Sequence, residues 1–306
     1  MYSFLYICNM RRIAILFLIL IPLAACGQAN MKGSGPTEIH WVTTPADSLL
    51  AEKVLAELES GPQGTVAEMM VRAGKALEGQ EYVASTLDER DGSDGAPDAA
   101  GNGEQLRIYL TRTDCIIFVE TCLALARTAE QGGGFSMLAD EIRQSRYRDG
   151  RVESYTDRLH YTTEWARQGE ARGVLKDVTR ALGGAPLDHP INYMSSHPES
   201  YPLMDDVNAI KEVEDNLNSE PRFYIPKDNL GQALQGIRTG DIICLVTSVK
   251  GLDISHVMMA VADTPGTVRL LHASTGPMKV VMDSRTLPQY LSARSSVIGI
   301  QVLRPL

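Results

Sequence analysis

GDIICLVTSVKGLDISHVMMAVADTPGTVRLLHAS, residues 240–274, is a series of short runs rich in Ile, Val and Leu, cut by Lys250-Gly251 and Pro265-Gly266. Apolar, β-branched runs of this length bounded by Gly and Pro predict strands, and tight turns between them predict antiparallel pairs. KVVM at 279–282 and VIGIQVLR at 297–304 continue the series. The chain beyond Gly240 is therefore expected to form an antiparallel sheet.

The segments before it have a different period. DSLLAEKVLAELES (47–60) and TVAEMMVRAGKAL (65–77) carry apolar residues at helical spacing, and Thr65 with Glu68 forms a capping box. YVASTL (82–87) is extended, DGSDGAPDAAGNG (91–103) is a low-complexity loop, and EQLRIYLTRTD (104–114) alternates Leu106, Ile108 and Leu110 as a half-buried strand does. A helix is predicted over 115–129, stopped by Gly132-Gly133-Gly134, and residues 135–238 read as a helical, loop-rich insert. Helices first and strands last is the pattern of an α+β fold.

The ends of the chain carry different information. Arg11 and Arg12 precede IAILFLILIPLAAC (13–26), the charged and apolar regions of an export signal. The stretch is shorter than the roughly 20 apolar residues of a membrane span. Leu23-Ala24-Ala25-Cys26 matches a lipoprotein box, so residues 1–25 are expected to be removed and Cys26 lipidated. Gly27 in the next position suits delivery to the outer membrane. Residues 26–45 read as a tether and 46–306 as the folded domain, placed on the periplasmic face of the cell envelope. A net charge of −9 argues against nucleic acid, whose phosphates require a basic surface. No feature calls for an oligomer, and a monomer is expected.

Of five cysteines, Cys8 and Cys26 belong to the leader, leaving Cys115, Cys122 and Cys244. Cys115 and Cys122 sit seven positions apart on one predicted helix, about 10 Å along its axis, beyond the roughly 7 Å Cα limit of a disulfide. Cys122 and Cys244 read as core residues, although a bridge from Cys115 to Cys244 is open on sequence alone. Cys115 follows Thr113-Asp114, favoured helix caps, so its thiol is expected at a helix N-terminus, where a thiolate is stabilised. His256 opens one strand and His272 closes the next, so antiparallel pairing is expected to set them side by side. His272 would then orient the imidazole of His256, giving nucleophile, base and orienting group.

The order Cys, His, polar residue on a helix followed by a sheet is that of papain-like enzymes. D-C-x-x-F-V-E at 114–120, G-L-D-I-S-H-V at 251–257 and L-L-H-A-S at 270–274 resemble the N-acetylmuramoyl-L-alanine amidase-like family of the NlpC cysteine-peptidase superfamily. EGQEYVASTLD, HYTTEW, INYMSSH, YIPK and TGDII are similar to it as well, and the likeness covers about residues 65–300. It implies a papain-like fold with Cys115 as nucleophile, His256 as base, His272 as the third member, and Tyr82 and Asp114 in support. It implies no cofactor or metal, and as substrate the amide joining N-acetylmuramic acid to L-alanine in peptidoglycan fragments.

Arg158, Tyr161 and Tyr193 in the middle segments are candidates for holding sugar and peptide, with Trp165 as a further flat face. Asp253 and Ser255, just ahead of His256, complete the candidate set. Departures from the family pattern are Ile116 and Ile117 after the cysteine, Ser85 where Gly is expected, Met258 after the base, and a longer loop at 91–103. Three other readings stand beside this one. A γ-D-glutamyl-diaminopimelate endopeptidase would use the same three side chains. A zinc amidase would need ligand spacing that His160, His189 and His197 do not show. A non-catalytic murein-binding lipoprotein would be expected to have lost one of the three.

Overall fold

The computed structural model describes residues 40–88 and 104–306. The signal, Cys26, the tether as far as residue 39 and the 91–103 loop lie outside the described residues.

The first half runs α1 (Pro45–Ser60), α2 (Val66–Ala76), β1 (Glu81–Tyr82), β2 (Arg112–Thr113), α3 (Cys115–Glu130), α4 (Phe135–Arg146) and α5 (Thr162–Ala171). There follow β3 (Leu175–Asp177), β4 (Ala185–Leu187), α6 (Tyr193–Ser196), α7 (Val207–Asn218), β5 (Arg222–Pro226) and α8 (Leu230–Ala233). The C-terminal part is β6 (Ile242–Thr247), β7 (Ile254–Thr264), β8 (Thr267–Ser274), β9 (Lys279–Thr286), α9 (Leu287–Ser292) and β10 (Val297–Pro305). The strands form one sheet in the order β2-β1-β9-β8-β7-β6-β10-β5-β4, with β3 also paired to β10. β1 and β2 are parallel, and the other pairs are antiparallel. The protein is thus an α+β fold with a large, mostly antiparallel sheet.

The central strands are apolar on both faces because both are covered. Cys244, Val246, Val257, Met259, Leu271 and Ala273 pack with α1, α2 and α3. Ile243, Leu245, Met258, Ala260, Val268 and Leu270 pack with Leu287, Tyr290 and Leu291 of α9. Each of the Val, Leu, Ile and Met side chains contributes roughly 1.5–3 kcal/mol on burial, so the two layers fix which face each of them points to. Met258, a departure from the family pattern, fills the core on the α9 side.

Three expectations need correction. Leu106, Ile108 and Leu110 are buried as their alternation requires, but the segment is not a regular strand. A side chain takes the place of the missing strand neighbour: the Asp47 carboxylate accepts from the N–H of Leu110 and Thr111 and from the Thr111 hydroxyl, each at 2.8 Å. The folded domain begins before the expected residue 46. Trp41 packs against Phe135, Val42 exchanges backbone hydrogen bonds with Leu106 and Ile108, and Thr44 caps α1. The middle insert is helical and loop-rich, yet it supplies β3, β4 and β5 because the outer edge of β10 needs backbone partners. Among the described residues no helix is long and apolar enough to cross a membrane.

Candidate active site

Cys115 is the first residue of α3. Asp114, in extended backbone conformation, caps the helix by accepting from the N–H of Ile116 at 3.1 Å and Ile117 at 2.9 Å. The two isoleucines follow from this geometry: Ile117 is buried, and Ile116 packs against the core. Cys115 is half-buried, whereas Cys122 and Cys244 are fully enclosed, and all three are free. The open possibility of a bridge between Cys115 and Cys244 is therefore not realised.

Tyr82 sits beside the cysteine through backbone pairing. It is in register with Thr113 of β2, and its own N–H donates to the Met278 carbonyl at 3.0 Å. Just beyond it, Ser85 adopts φ +59°, the left-handed region that favours glycine. This accounts for the glycine expected at that position. Serine there keeps the same turn under local strain.

His256 and His272 meet as the strand register predicts. Met259 pairs with Leu271 across β7 and β8, which sets the two histidines diagonally on neighbouring strands. Nε2 of His256 lies 2.8 Å from Nδ1 of His272, with the rings edge to face at 5.0 Å. His272 is 0 % exposed and stands edge-on to Tyr290 of α9 at 5.4 Å. The link to the cysteine is through the backbone: the N–H of Val257, the residue after His256, is directed at the Cys115 sulfur.

The electrostatics differ from the expectation of a thiolate. Burial, and then the Asp114 charge, push the Cys115 thiol up to about 12, against the opposing N–H groups of Val257, Ile116 and Cys115 itself. Burial draws His256 down to about 3, helped by His272 and Arg294. Burial draws His272 down to about 4 despite the Asp283 carboxylate. Thiol and imidazoles therefore rest neutral. The helix N-terminus does favour negative charge on sulfur, but the carboxylate that caps the same turn opposes it. Tyr82 is raised to about 12, by burial first and then by Cys115 and Asp114 beside it.

Several residues nominated for substrate binding are occupied internally. Arg158 is buried, pairing with Glu104 at 2.7 Å and with Asp88. Tyr161 is 2 % exposed; its hydroxyl donates to Glu214 at 2.7 Å and accepts from the N–H of Met194 at 2.9 Å. Trp165 is 3 % exposed and donates to Ser145. Asp253 is buried, accepting from the N–H of Thr163 and of Ile254. All four are occupied by internal partners and offer no free face. Ser255 is exposed, with its hydroxyl 3.3 Å from the carbonyl of Leu245. Tyr193 is half-buried and stacks on His197 at 4.3 Å. Its N–H, with that of Asn192, donates to the Gly251 carbonyl at 3.0 Å. Gly251 has φ +82°, and a Cβ there would lie 2.3 Å from the Asn192 side chain. A glycine is thus required where the Tyr193 segment meets the turn leading to His256.

Sequence reasoning missed Asp283, Arg285 and Tyr290. Asp283 on β9 lies 3.6 Å from Nε2 of His272 and is held by Arg285 at 2.7 Å. Their signal was present: KVVM was legible as a strand, and Asp283 is the next residue along it. Among the described residues no three His, Cys, Asp or Glu side chains converge in a way that would hold a metal ion.

Residues 72–300 match the family described as AmiA-like, N-acetylmuramoyl-L-alanine amidase-like, and the chain belongs to that family. A solved N-acetylmuramoyl-L-alanine amidase from Bacteroides uniformis ATCC 8492 is 35% identical with a TM-score of 0.71, covering 79% of this chain and 100% of its own. A Bacteroides fragilis protein carrying the label xylanase is 36% identical with a TM-score of 0.67, over 76% of this chain and 98% of that one. Protein LPG0564 from Legionella pneumophila, at 22% identity and a TM-score of 0.65, shares the fold over 85% of this chain and 94% of its own. No curated protein matches the chain.

Proposed function

We propose that the protein is a thiol-dependent amidase with a papain-like arrangement, cutting the bond between N-acetylmuramic acid and L-alanine in peptidoglycan fragments. The observation that carries this reading is the 2.8 Å contact between Nε2 of His256 and Nδ1 of His272. It commits one nitrogen of His256 to an orienting partner and leaves Nδ1 to exchange a proton. That strand presents Val257 to the Cys115 sulfur.

The chemistry starts from a neutral pair. As the Cys115 sulfur attacks the amide carbonyl, its proton passes to Nδ1 of His256. Negative charge forms on the carbonyl oxygen. Asp114 engages the N–H of Ile116 and Ile117, so the N–H of Cys115 is the donor best placed for that oxygen. The imidazolium then protonates the alanine nitrogen, the C–N bond breaks, and the peptide departs with a free L-Ala amino group. Water attacks the thioester, giving its proton to His256. The C–S bond breaks and the thiol is restored.

A glycosidase would need two free carboxyl groups facing each other across the bond. Asp114 is committed to capping α3 and Asp283 to Arg285. Amide chemistry by a thiol fits this site better. Tyr193 is the one middle-segment aromatic of those nominated that keeps an accessible face, and it is assigned to a sugar or peptide contact.

Mass spectrometry of defined muropeptides tests the bond. N-acetylmuramoyl-L-Ala-γ-D-Glu-diaminopimelate should yield free muramic acid sugar and an intact tripeptide. Release of L-Ala-D-Glu would instead make it a γ-D-glutamyl endopeptidase. The leader supports an exported lipoprotein anchored through Cys26, and fractionation with mass spectrometry of the N-terminal peptide tests that. A soluble mature chain, or one retaining residues 1–25, would contradict it.

A further inference from the structure

The two nitrogens of the enclosed His272 ring face different partners. Nδ1 meets Nε2 of His256 at 2.8 Å. Nε2 has no hydrogen-bond partner and faces Oδ2 of Asp283 at 3.6 Å. The carboxylate is itself fixed: Oδ1 accepts from the backbone N–H and Nε of Arg285 at 2.9 Å, and Oδ2 accepts from its terminal nitrogen at 2.7 Å. His272 is in register with Val281, so Asp283 lies two positions along β9 on the same face.

We propose that Asp283 is a positioning residue that selects the tautomer of His272 and, through it, the nitrogen with which His256 takes a proton. This rests on the reading of His256 as the base. A neutral imidazole has one N–H and one lone pair. In an enclosed site, a lone pair on Nε2 of His272 would face an anionic oxygen, whereas an N–H is attracted to it. Asp283 therefore places the proton of His272 on Nε2 and leaves Nδ1 as an acceptor. Only a donor satisfies that acceptor, so His256 carries its proton on Nε2. The lone pair of His256 is then on Nδ1, the nitrogen the proposed mechanism uses.

The other groups around the pair preserve this order. Arg285 on β9 and Arg294 after α9 disfavour a second proton on His272. Tyr290 of α9 packs against the ring, with Arg294 over its own face at 3.6 Å and Arg285 at 4.8 Å. At rest the two histidines are neutral, and the carboxylate acts by orienting a proton without gaining one. The arrangement extends the principle by which a buried aspartate sets the tautomer of a catalytic histidine in serine proteases, here through a second imidazole.

Nitrogen NMR of the full chain with labelled histidine reads the tautomers without any substrate. The wild type should show both His256 and His272 protonated on Nε2. Asp283→Asn and Asp283→Ala should redistribute both rings and lower kcat about tenfold or more with KM nearly unchanged. Asp283→Glu should recover part of kcat. Arg285→Ala removes the guanidinium but keeps the backbone N–H that anchors Oδ1 of Asp283, and should keep both tautomers. A wild-type His272 protonated on Nδ1 would overturn the proposal. So would unchanged tautomers in Asp283→Ala, or an Arg285→Ala variant that reproduces their loss. Should the Asp283 variants fail to fold, the wild-type spectrum decides by itself. A protein with the expected tautomers that cleaves no muropeptide would refute the amidase reading and leave this one standing.

Discussion

The Asp114 carboxylate anchors the first turn of α3 through Ile116 and Ile117 while its charge opposes ionisation of the adjacent Cys115 thiol. Asn caps a helix about as well as Asp but carries no charge. Asp114→Asn should therefore hold stability to within about 1 kcal/mol and make the thiol easier to ionise. Each unit of lowered pKa raises the thiolate fraction about tenfold at a fixed pH below it. Faster iodoacetamide labelling of Cys115 near neutrality would show this, and unchanged or slower labelling would contradict it.

Labelling of the wild-type protein should itself climb steadily into alkaline solution. A preformed thiolate–imidazolium pair would give a plateau across neutral pH, which a thiol pushed up to about 12 beside an imidazole drawn down to about 3 does not provide. Cys115→Ala and His256→Ala should each abolish turnover with little effect on thermal stability. Measurable turnover by Cys115→Ala would remove it from the nucleophile's role.

Arg158 and Tyr193 should separate stability from substrate binding. Removing Arg158 leaves the Glu104 carboxylate buried without its cation, a loss of about 3–5 kcal/mol. Tyr193→Ala should leave the melting temperature nearly intact and raise KM several-fold. Thermal melts and initial rates on muropeptides check both, and an Arg158→Ala variant with native stability would contradict the first.

Acid should weaken the fold before any carboxylate of ordinary pKa is protonated. Burial draws His160 and His256 to about 3 and His272 to about 4, whereas unfolded histidine titrates near 6.5. Between those values the unfolded chain binds protons that the folded chain refuses, so stability rises with pH there and falls as pH drops from about 6.5 toward 4. Asp283, held near 2 chiefly by hydrogen bonds from Arg285, loses its contribution only at still lower pH. Urea unfolding at several pH values should show the fall, and His160→Gln should reduce proton uptake by about one. A midpoint constant across that window would exclude it.

The parts legible in sequence were those in which one local pattern had one structural solution. The strands after Gly240, the capping box at Thr65, and the meeting of His256 with His272 follow from period, turn chemistry and register. Burial was also legible at Leu106, Ile108 and Leu110, but the expected regular strand does not form, because Val42 pairs only with Leu106 and Ile108 and a carboxylate 63 positions away takes over at Leu110. Arg158, Tyr161 and Trp165 carry side chains equally suited to a cleft and to a core. Only the partners Glu104, Glu214 and Ser145, remote in sequence, distinguish the two. Asp283 escaped notice because its value depends on the back of a buried ring.

Asp47 belongs to α1, which precedes the family match beginning at residue 72. Its carboxylate nevertheless clasps Leu110 and Thr111, four residues ahead of the thiol at the nearer one. The family match and the folded unit therefore begin at different residues. A chain trimmed to begin at residue 72 would keep Cys115, His256, His272 and Asp283, yet lose the carboxylate that holds Leu110 and Thr111. Asp47→Ala should therefore loosen the segment leading to Cys115 while sparing every reactive atom, and thermal melts together with Cys115 labelling rates check it.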